Sequence, residues 1–291
     1  MSHFSIAGLQ LELSAQDNLA LIKKEIEKTV RIFPWVDMLV LGELSSFGPD
    51  PANAQTMPGQ AEQFYCELAK KHNIWLIPGS IFEQDGGKIY NTAPVINPAG
   101  EVVSRYRKMF PFYPYEKGVE AGDQFVVFDV PAVGRFGLSI CYDQWFPEIT
   151  RTLAWMGAEV IICPTMTNTI DRDLELSISR TNAAIGQCYF FNINVAGGVG
   201  NGKSIVVGPD GTVIHQAGNA TEVIPIEIDM SHVRRVRERG VMGLGQTLKS
   251  FRDSQVKFPP YIEGHNKSAV LTKLGKLVVP KSQVMDSKGS K

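Results

Sequence analysis

Strand and helix patterns alternate along the first part of this chain, and that order constrains the possible folds most strongly. Residues 4–13 (FSIAGLQLEL) alternate like a strand, and residues 18–33 (NLALIKKEIEKTVRIF) carry apolar side chains at helical spacing. An amphipathic helix at 60–72 (QAEQFYCELAKKH) separates two apolar strands at 36–43 (VDMLVLGE) and 74–82 (IWLIPGSIF). The alternation predicts an α/β fold whose sheets are covered by helices.

Hairpins replace this alternation after residue 85. The segments 97–100 (NPAG) and 208–211 (GPDG) each predict a turn between two strands. The apolar strand 135–143 (RFGLSICYD) leads into a helix that should begin near Pro147 and stop at Gly157. Proline suits the first helical turn and glycine the residue that ends a helix.

The domain organisation follows from the lack of a linker before about residue 260. We expect residues 1–263 to form one domain. Residues 264–291 are rich in lysine and show little periodicity. We interpret them as a C-terminal extension, either a tail or an arm that packs on a partner subunit.

Composition and charge exclude several kinds of partner. The net charge of -1 gives no general attraction to nucleic acid or to an anionic membrane, and the apolar runs are too short to cross a bilayer. The four cysteines have neither disulfide nor metal spacing, and the five histidines are scattered. We therefore expect a cytoplasmic protein with reduced thiols that uses no metal and no cofactor.

One cysteine has the surroundings of a nucleophile. Cys141 and Cys163 both end apolar strands, where a thiol can be an inert core group. Cys163 is followed by Pro164, which has no backbone N–H. Cys141 is followed by Tyr142, whose N–H can point at an oxyanion, and then by a helix N-terminus. Cys141 is therefore the candidate nucleophile.

A phosphate-loop pattern in the chain is deceptive. Residues 197–204 (GGVGNGKS) match it letter for letter. The pattern binds nucleotides only where a helix begins directly after the loop. Residues 204–214 (SIVVGPDGTVI) predict a β-hairpin there instead, so we do not expect nucleotide binding.

Taken together, the segments resemble the nitrilase superfamily of carbon–nitrogen hydrolases over residues 4–230. Glu43 follows LVLG, Lys108 ends YRK, and Cys141 opens CYDQWFPE, a C-x-D-x-x-x-P-E pattern. Taken alone, Glu43 and Lys108 would be solvated residues at strand ends. The resemblance implies that they act with Cys141 as the catalytic base and the oxyanion-binding cation.

The resemblance carries three further implications. The fold should be a four-layer α-β-β-α sandwich. A second glutamate should follow the lysine, and Glu116 fits that position better than Glu120. Members usually pair into dimers, so a homodimer or larger homo-oligomer is expected.

The implied reaction is amide hydrolysis through a thioester. Glu43 would take the Cys141 proton as the sulfur attacks the amide carbon. The Lys108 ammonium and the Tyr142 N–H would hold the oxyanion, and Glu116 would orient the substrate and the lysine. Glu43 would then protonate departing ammonia and activate the water that hydrolyses the thioester.

The residues after Cys141 indicate the substrate class. Tyr142 and Asp143 stand where true nitrilases commonly have tryptophan and glutamate, and the segment is similar to that of N-carbamoylputrescine amidases. Relatives that act on carboxylate-bearing substrates often place arginine two to four residues after the cysteine, which this chain does not. Phe146 is expected in the core. The expected substrate-binding residues are Phe47, Tyr113, Trp145, Met166 and Thr167.

The leading hypothesis is an amidase that converts a small neutral or apolar primary amide to a carboxylic acid and ammonia. An N-carbamoyl-amine amidohydrolase, which releases ammonia and carbon dioxide, is the first alternative, and a nitrilase is the second. A catalytically silent binding or scaffold protein of the same fold is the alternative from a different class.

Overall fold

The structure is a computed structural model that describes residues 3–262 and 268–279. Its strands, in chain order, are β1 (His3–Gln10), β2 (Glu12–Leu13), β3 (Met38–Leu41), β4 (Trp75–Ile77), β5 (Ile81–Asp85), β6 (Lys88–Ile96), β7 (Val102–Arg107), β8 (Val119–Glu120), β9 (Val127–Val130), β10 (Gly134–Leu138), β11 (Val160–Thr165), β12 (Tyr189–Asn194), β13 (Ala196–Gly197), β14 (Ile205–Val207), β15 (Val213–Gln216) and β16 (Glu222–Asp229). The α-helices are α1 (Leu19–Ile32), α2 (Gln60–His72), α3 (Pro147–Trp155), α4 (Arg172–Gly186), α5 (Met230–Arg239), α6 (Thr247–Arg252) and α7 (Ala269–Thr272). Short 3-10 helices occupy Pro51–Asn53, Cys141–Trp145 and Pro259–Tyr261.

Two main sheets contain nearly all of these strands. The eight-stranded sheet has the order β16-β1-β3-β4-β6-β5, and β7 and β8 also pair with β6. The six-stranded sheet has the order β15-β14-β12-β11-β10-β9. The pairs β1–β3, β3–β4, β10–β11 and β11–β12 are parallel. The carboxyl end of β3 therefore lies beside those of β1 and β4, and the carboxyl end of β10 lies beside that of β11. A site can form at such carboxyl ends of parallel strands.

Side-chain alternation along the strands separates the core into layers. In β1, Ile6 lies in the cluster between the two sheets, whereas Ala7 lies in the cluster that contacts the helices. In β11, Ile162 faces the other sheet and Ile161 faces the helices on its own side. Both faces of the parallel strands are therefore apolar, which accounts for their continuous hydrophobic sequence.

Helices cover the outer face of each sheet. Ile22 of α1 and Tyr65 of α2 are buried in the cluster outside the eight-stranded sheet. Leu153 of α3 and Ala183 of α4 are buried in the cluster outside the six-stranded sheet. The order of layers is thus α-β-β-α, and the predicted sandwich is confirmed.

Several predicted elements occur where the sequence placed them. Helix α2 spans Gln60–His72, and α3 begins at Pro147 and ends two residues before Gly157, whose φ of +99° suits glycine. The turn at 208–211 joins β14 and β15 as a hairpin. No helix in the described part of the chain is both long and apolar enough to span a membrane.

The C-terminal extension is described only in part. Within 264–291, residues 264–267 and 280–291 lie outside the described residues. Residues 268–279 include the short helix α7 and expose several apolar side chains. The boundary at residue 263 stays a prediction.

Candidate active site

Glu43 lies where the two sheets meet at the carboxyl end of β3. Its backbone N–H donates to the carbonyl of Thr165, at the end of β11, over 3.1 Å. A Cβ on the preceding Gly42 would lie 2.9 Å from that same Thr165 oxygen and 2.6 Å from a methyl of Val195. Glycine therefore permits the close approach that brings Glu43 to the junction.

The Glu43 carboxylate is buried and fully hydrogen-bonded. Oε1 accepts from Lys108 Nζ and from Asn91 Nδ2, both at 2.8 Å, and Oε2 accepts from the Met166 N–H at 3.0 Å. Burial raises the pKa of Glu43, the Lys108 charge opposes that rise, and Glu116 adds to it. The carboxylate is thereby kept more basic than an exposed one.

Lys108 is shared by two carboxylates. It follows β7, is buried, and donates from Nζ to Glu116 Oε2 over 2.7 Å as well as to Glu43. Glu116 also accepts from the Phe112 N–H. Burial would lower the pKa of Lys108, but the charges of Glu43, Glu116 and Cys141 together raise it well above its ordinary value. Glu120, the alternative second glutamate, instead lies 3.8 Å from Lys88.

Cys141 sits at a strained turn beside this cluster. Its φ is +45°, a left-handed conformation that is unfavourable for a non-glycine residue, and it begins the 3-10 helix. Burial raises the pKa of the thiol well above its ordinary value, with a further rise from the Glu43 charge and an opposing effect of Lys108. A hydrogen bond from Cys141 is also among the interactions that lower the pKa of Glu43. The raised pKa favours the thiol form of Cys141, and the Glu43 carboxylate lies within hydrogen-bonding reach of it.

Asp143 connects the cysteine turn to the lysine strand. Oδ2 accepts from Tyr106 Oη at 2.7 Å and from the Ile140 N–H at 2.8 Å, and Oδ1 accepts from the Phe110 N–H at 2.9 Å. Tyr106 and Phe110 flank Lys108 in sequence, whereas Ile140 precedes Cys141. Burial raises the pKa of Asp143 to about 6, although these donors oppose the rise.

A cavity of about 460 Å³ opens over Cys141. Three of the residues expected near substrate line it: Tyr142, Met166 and Thr167. The Thr167 hydroxyl lies 3.7 Å from the Cys141 sulfur. The lining residues that sequence reasoning missed are Phe112, Tyr115, Asn168, Thr169, Ile170, Asp171 and Glu175.

Three residues expected to bind substrate lie outside that lining. Phe47 packs against the cluster between the eight-stranded sheet and its helices. The Tyr113 hydroxyl donates to the Val119 carbonyl, and Trp145 Nε1 donates over 3.3 Å to Glu175, which itself lines the cavity. Phe146, expected in the core, packs against the cluster under α3 and α4.

The cavity lining is acidic. Asp171 and Glu175 contribute carboxylates, and none of the described residues that line it is a lysine or an arginine. Glu175 is paired with the buried Arg172 over 3.0 Å, which leaves Asp171 as the less compensated charge. No group of histidine, cysteine, aspartate or glutamate side chains among the described residues has an arrangement that could hold a metal ion.

The GGVGNGKS segment supports the cavity wall. As predicted, the strand β14 rather than a helix follows it. The Asn201 N–H donates to the Thr167 carbonyl over 2.9 Å, and its Nδ2 donates to the Thr169 carbonyl over 3.0 Å. Asn194 Nδ2 also donates to the Thr167 carbonyl, at 3.0 Å. The glycines thus allow a compact loop that fixes residues 167–169.

Comparison with known families identifies the region that contains these residues. The family model for carbon–nitrogen hydrolase matches residues 5–238. That range includes every residue of the buried cluster and nearly all of both main sheets.

Two known proteins are similar to this chain over most of their length. The human protein Omega-amidase NIT2 is 31% identical over 259 residues, which cover 82% of this chain and 93% of that protein. Formamidase of Bacillus cereus is 29% identical over 287 residues, 90% of this chain and 86% of the enzyme.

Two solved structures are also similar. Nit3 of Saccharomyces cerevisiae has a TM-score of 0.75 and 29% identity, covering 81% of this chain and 94% of its own. A cysteine-to-alanine mutant of the amidase from Nesterenkonia sp. AN1, in complex with butyramide, has a TM-score of 0.72 and 25% identity, with coverages of 81% and 95%.

Proposed function

Because this chain belongs to the carbon–nitrogen hydrolase family, we propose that it is a thiol amidase releasing ammonia from a small, uncharged primary amide. The observation that supports the proposal most directly is the cluster of the buried Glu43, Lys108 and Cys141 with the half-buried Glu116 beside a cavity. A nucleophile, a base and a fixed cation are the groups that acyl transfer requires.

The first step forms the tetrahedral intermediate. Glu43 accepts the Cys141 proton as the sulfur bonds to the amide carbon, and the carbonyl electrons move to oxygen. A lysine ammonium has three donors, and two of those on Lys108 are used by Glu43 and Glu116, which leaves one for the oxyanion. The Tyr142 N–H, which has no acceptor among the described residues, is the second donor. Each such donor contributes about 3–4 kcal/mol to transition-state stability.

The following steps form the thioester and then regenerate the enzyme. Glu43 passes its proton to the departing nitrogen, the carbon–nitrogen bond breaks, and ammonia leaves. Glu43 then takes a proton from water, whose oxygen attacks the thioester carbon. The carbon–sulfur bond breaks, the proton returns to Cys141, and the carboxylic acid leaves.

The charge of the cavity supports an uncharged acyl group. Phe112 and Tyr115 provide apolar contact surface, while the less compensated Asp171 would repel a substrate carboxylate. The cysteine-to-alanine mutant of the Nesterenkonia amidase binds butyramide, a small uncharged amide, and the human and Bacillus cereus relatives are named as an omega-amidase and a formamidase. The cavity of about 460 Å³ has room for an acyl chain of that size.

The acidic lining also favours the first alternative, an N-carbamoyl-amine amidohydrolase. A substrate of that class carrying a free amine would place a cation near Asp171. It would release carbon dioxide together with ammonia, so carbon dioxide release distinguishes the two reactions. A silent scaffold would not need the base, the cation and the nucleophile to converge.

The test is ammonia release over a panel of butyramide, a dicarboxylic acid monoamide, an N-carbamoyl amine and a nitrile, with wild type and Cys141→Ala. We expect wild type to favour butyramide over the monoamide and Cys141→Ala to be inactive. Activity that persists in Cys141→Ala would refute the nucleophile assignment. Preference for the monoamide would refute the uncharged acyl group, and carbon dioxide release would favour the carbamoyl alternative.

A further inference from the structure

Asn91 connects all the charged members of the cluster. It lies within β6 and is fully buried. Its Nδ2 donates to Glu43 Oε1 over 2.8 Å and reaches Glu116 Oε1 at 3.4 Å. Its backbone carbonyl accepts from the Lys108 N–H over 2.8 Å. No other described residue contacts both carboxylates and the lysine backbone in this way.

The charge balance of the cluster explains what such a residue contributes. The carboxylates of Glu43 and Glu116 share the one ammonium of Lys108, so the ionised cluster carries an excess negative charge away from bulk solvent. A carboxamide offers two N–H donors and does not ionise at any working pH. It can stabilise both carboxylates and fix their directions without adding a titratable group.

We propose that Asn91 is a positioning residue whose carboxamide holds Glu43 and Glu116 in the geometry that lets Glu43 accept the Cys141 proton. This inference rests on the proposed thiol mechanism. Asn91 acts through the two glutamates and does not line the cavity.

The neighbouring residue supplies a matched control. Thr92 is equally buried on the same strand, and its hydroxyl donates to Glu83 Oε2 over 2.6 Å. Glu83 is paired with Arg107 at 2.7 Å, so Thr92 also supports a carboxylate–cation pair, but one that lies outside the candidate site. Asn91→Leu and Thr92→Val both remove a buried donor to a carboxylate with little change of shape.

The primary readout does not need the natural substrate. Iodoacetamide alkylates a thiolate as iodide leaves, and mass spectrometry of the Cys141 peptide gives its rate at each pH. The titratable groups that face Glu43 are Lys108, Glu116 and Cys141. The acid limb of the profile, which is the pH range over which the alkylation rate rises from its low-pH value, therefore reports ionisation of the cluster. The second readout is kcat and KM for butyramide.

We expect Asn91→Leu to move the acid limb to higher pH by about one pH unit, because a carboxylate that loses a donor binds its proton more tightly. For butyramide, kcat should fall about 10- to 100-fold with KM near the wild-type value, since the base is misplaced and the cavity is intact. Thr92→Val should keep the alkylation rate at each pH, and kcat and KM for butyramide, within about twofold of the wild-type values. Should Asn91→Leu lose its cooperative melting transition, Asn91→Ser carries the same comparison.

An unshifted acid limb in a folded Asn91 variant would overturn the proposal, and so would equal effects of Asn91→Leu and Thr92→Val. If wild type hydrolyses no amide but the Asn91 variant still shifts the alkylation profile, the proposed function fails while the positioning role stands.

Discussion

Burial alone does not distinguish the candidate nucleophile from the other thiols. It raises the pKa of Cys163 and of Cys188 to about 12, and it also raises that of Cys141. What separates Cys141 is its charged neighbours Glu43 and Lys108, which in the proposed mechanism accept its proton and hold the negative charge that follows. At the scale of the residue, reactivity here depends on a partner base rather than on an acidic thiol.

The contribution of Asp143 to folding stability should depend on pH. Its pKa is raised from 3.8 to about 6, so the folded state binds the proton more tightly than the unfolded chain does. Its contribution to stability is therefore complete below pH 3.8 and is lost as the pH rises through about 6. The full effect is roughly 3 kcal/mol, because each tenfold gain in proton affinity corresponds to about 1.4 kcal/mol.

The measurement is the free energy of unfolding of wild type and Asp143→Asn from pH 4 to pH 8. We expect the advantage of wild type to shrink between pH 4 and 6 and to stay level above it. The amide also presents an NH2 group to one of the three donors, so the variant should have a lower kcat. An advantage that grows with pH across this window would contradict the assignment.

At the scale of the element, a helix is easier to predict from the sequence when its buried face is apolar than when that face is polar. The buried residues of α2 include Ala61, Tyr65 and Leu68, whose helical spacing is visible in the sequence. The buried residues of α4 include Arg172, Glu175, Ser179 and Asn182, so its inner face is largely polar. Its apolar Leu174 is exposed rather than buried, and sequence reasoning did not assign the helix.

The same reason limits prediction of the site. Glu43, Lys108, Glu116 and Cys141 each stand in a recognisable segment, and the structure brings them together. The cavity lining from Asn168 to Glu175 comes from the unassigned segment before and within α4. Asn91 is hidden in an apolar strand, where only its three-dimensional contacts reveal its importance.

The loop of residues 197–204 gives a prediction at this scale. Asn201→Ala removes the side-chain bond to the Thr169 carbonyl and the bond accepted from Asn194. We expect KM for butyramide to rise about 3- to 10-fold with little change in kcat, because each lost bond costs about 0.5–1.5 kcal/mol and affects the wall rather than the reacting groups. The exposed Asn219→Ala is the control. A large fall in kcat with unchanged KM would mean that this loop acts on Cys141.

At the scale of the whole molecule, the site depends on both sheets. The eight-stranded sheet supplies Glu43 and Lys108, whereas Cys141 follows the six-stranded sheet. The Glu43–Thr165 hydrogen bond joins the two edges. The inter-sheet core therefore fixes the distance between Glu43 and Cys141, and under the proposed mechanism a cavity created there should lower kcat as well as stability.

The predicted assembly into a homodimer or larger homo-oligomer is also a property of the whole molecule. Residues 268–279 expose apolar side chains that include Val270, Leu271, Leu274 and Leu277, each at least 64% exposed. Contiguous exposed apolar residues of this kind are typical of an interaction surface. If they form an arm on a second copy, the chain of 32.1 kDa should sediment as a dimer or larger species.

Sedimentation velocity of wild type and of Leu271→Asp/Leu274→Asp tests this, with Ile32→Asp as the matched control. Ile32 is also exposed, at 52%, but lies at the end of α1 in the outer helix layer. We expect the double variant to shift toward the monomer, because burying two unpaired carboxylates in an apolar contact costs several kcal/mol, while Ile32→Asp keeps the assembly. A monomeric wild type would contradict the predicted assembly. An assembled double variant would place the contact elsewhere on the molecule and leave residues 268–279 without the expected role.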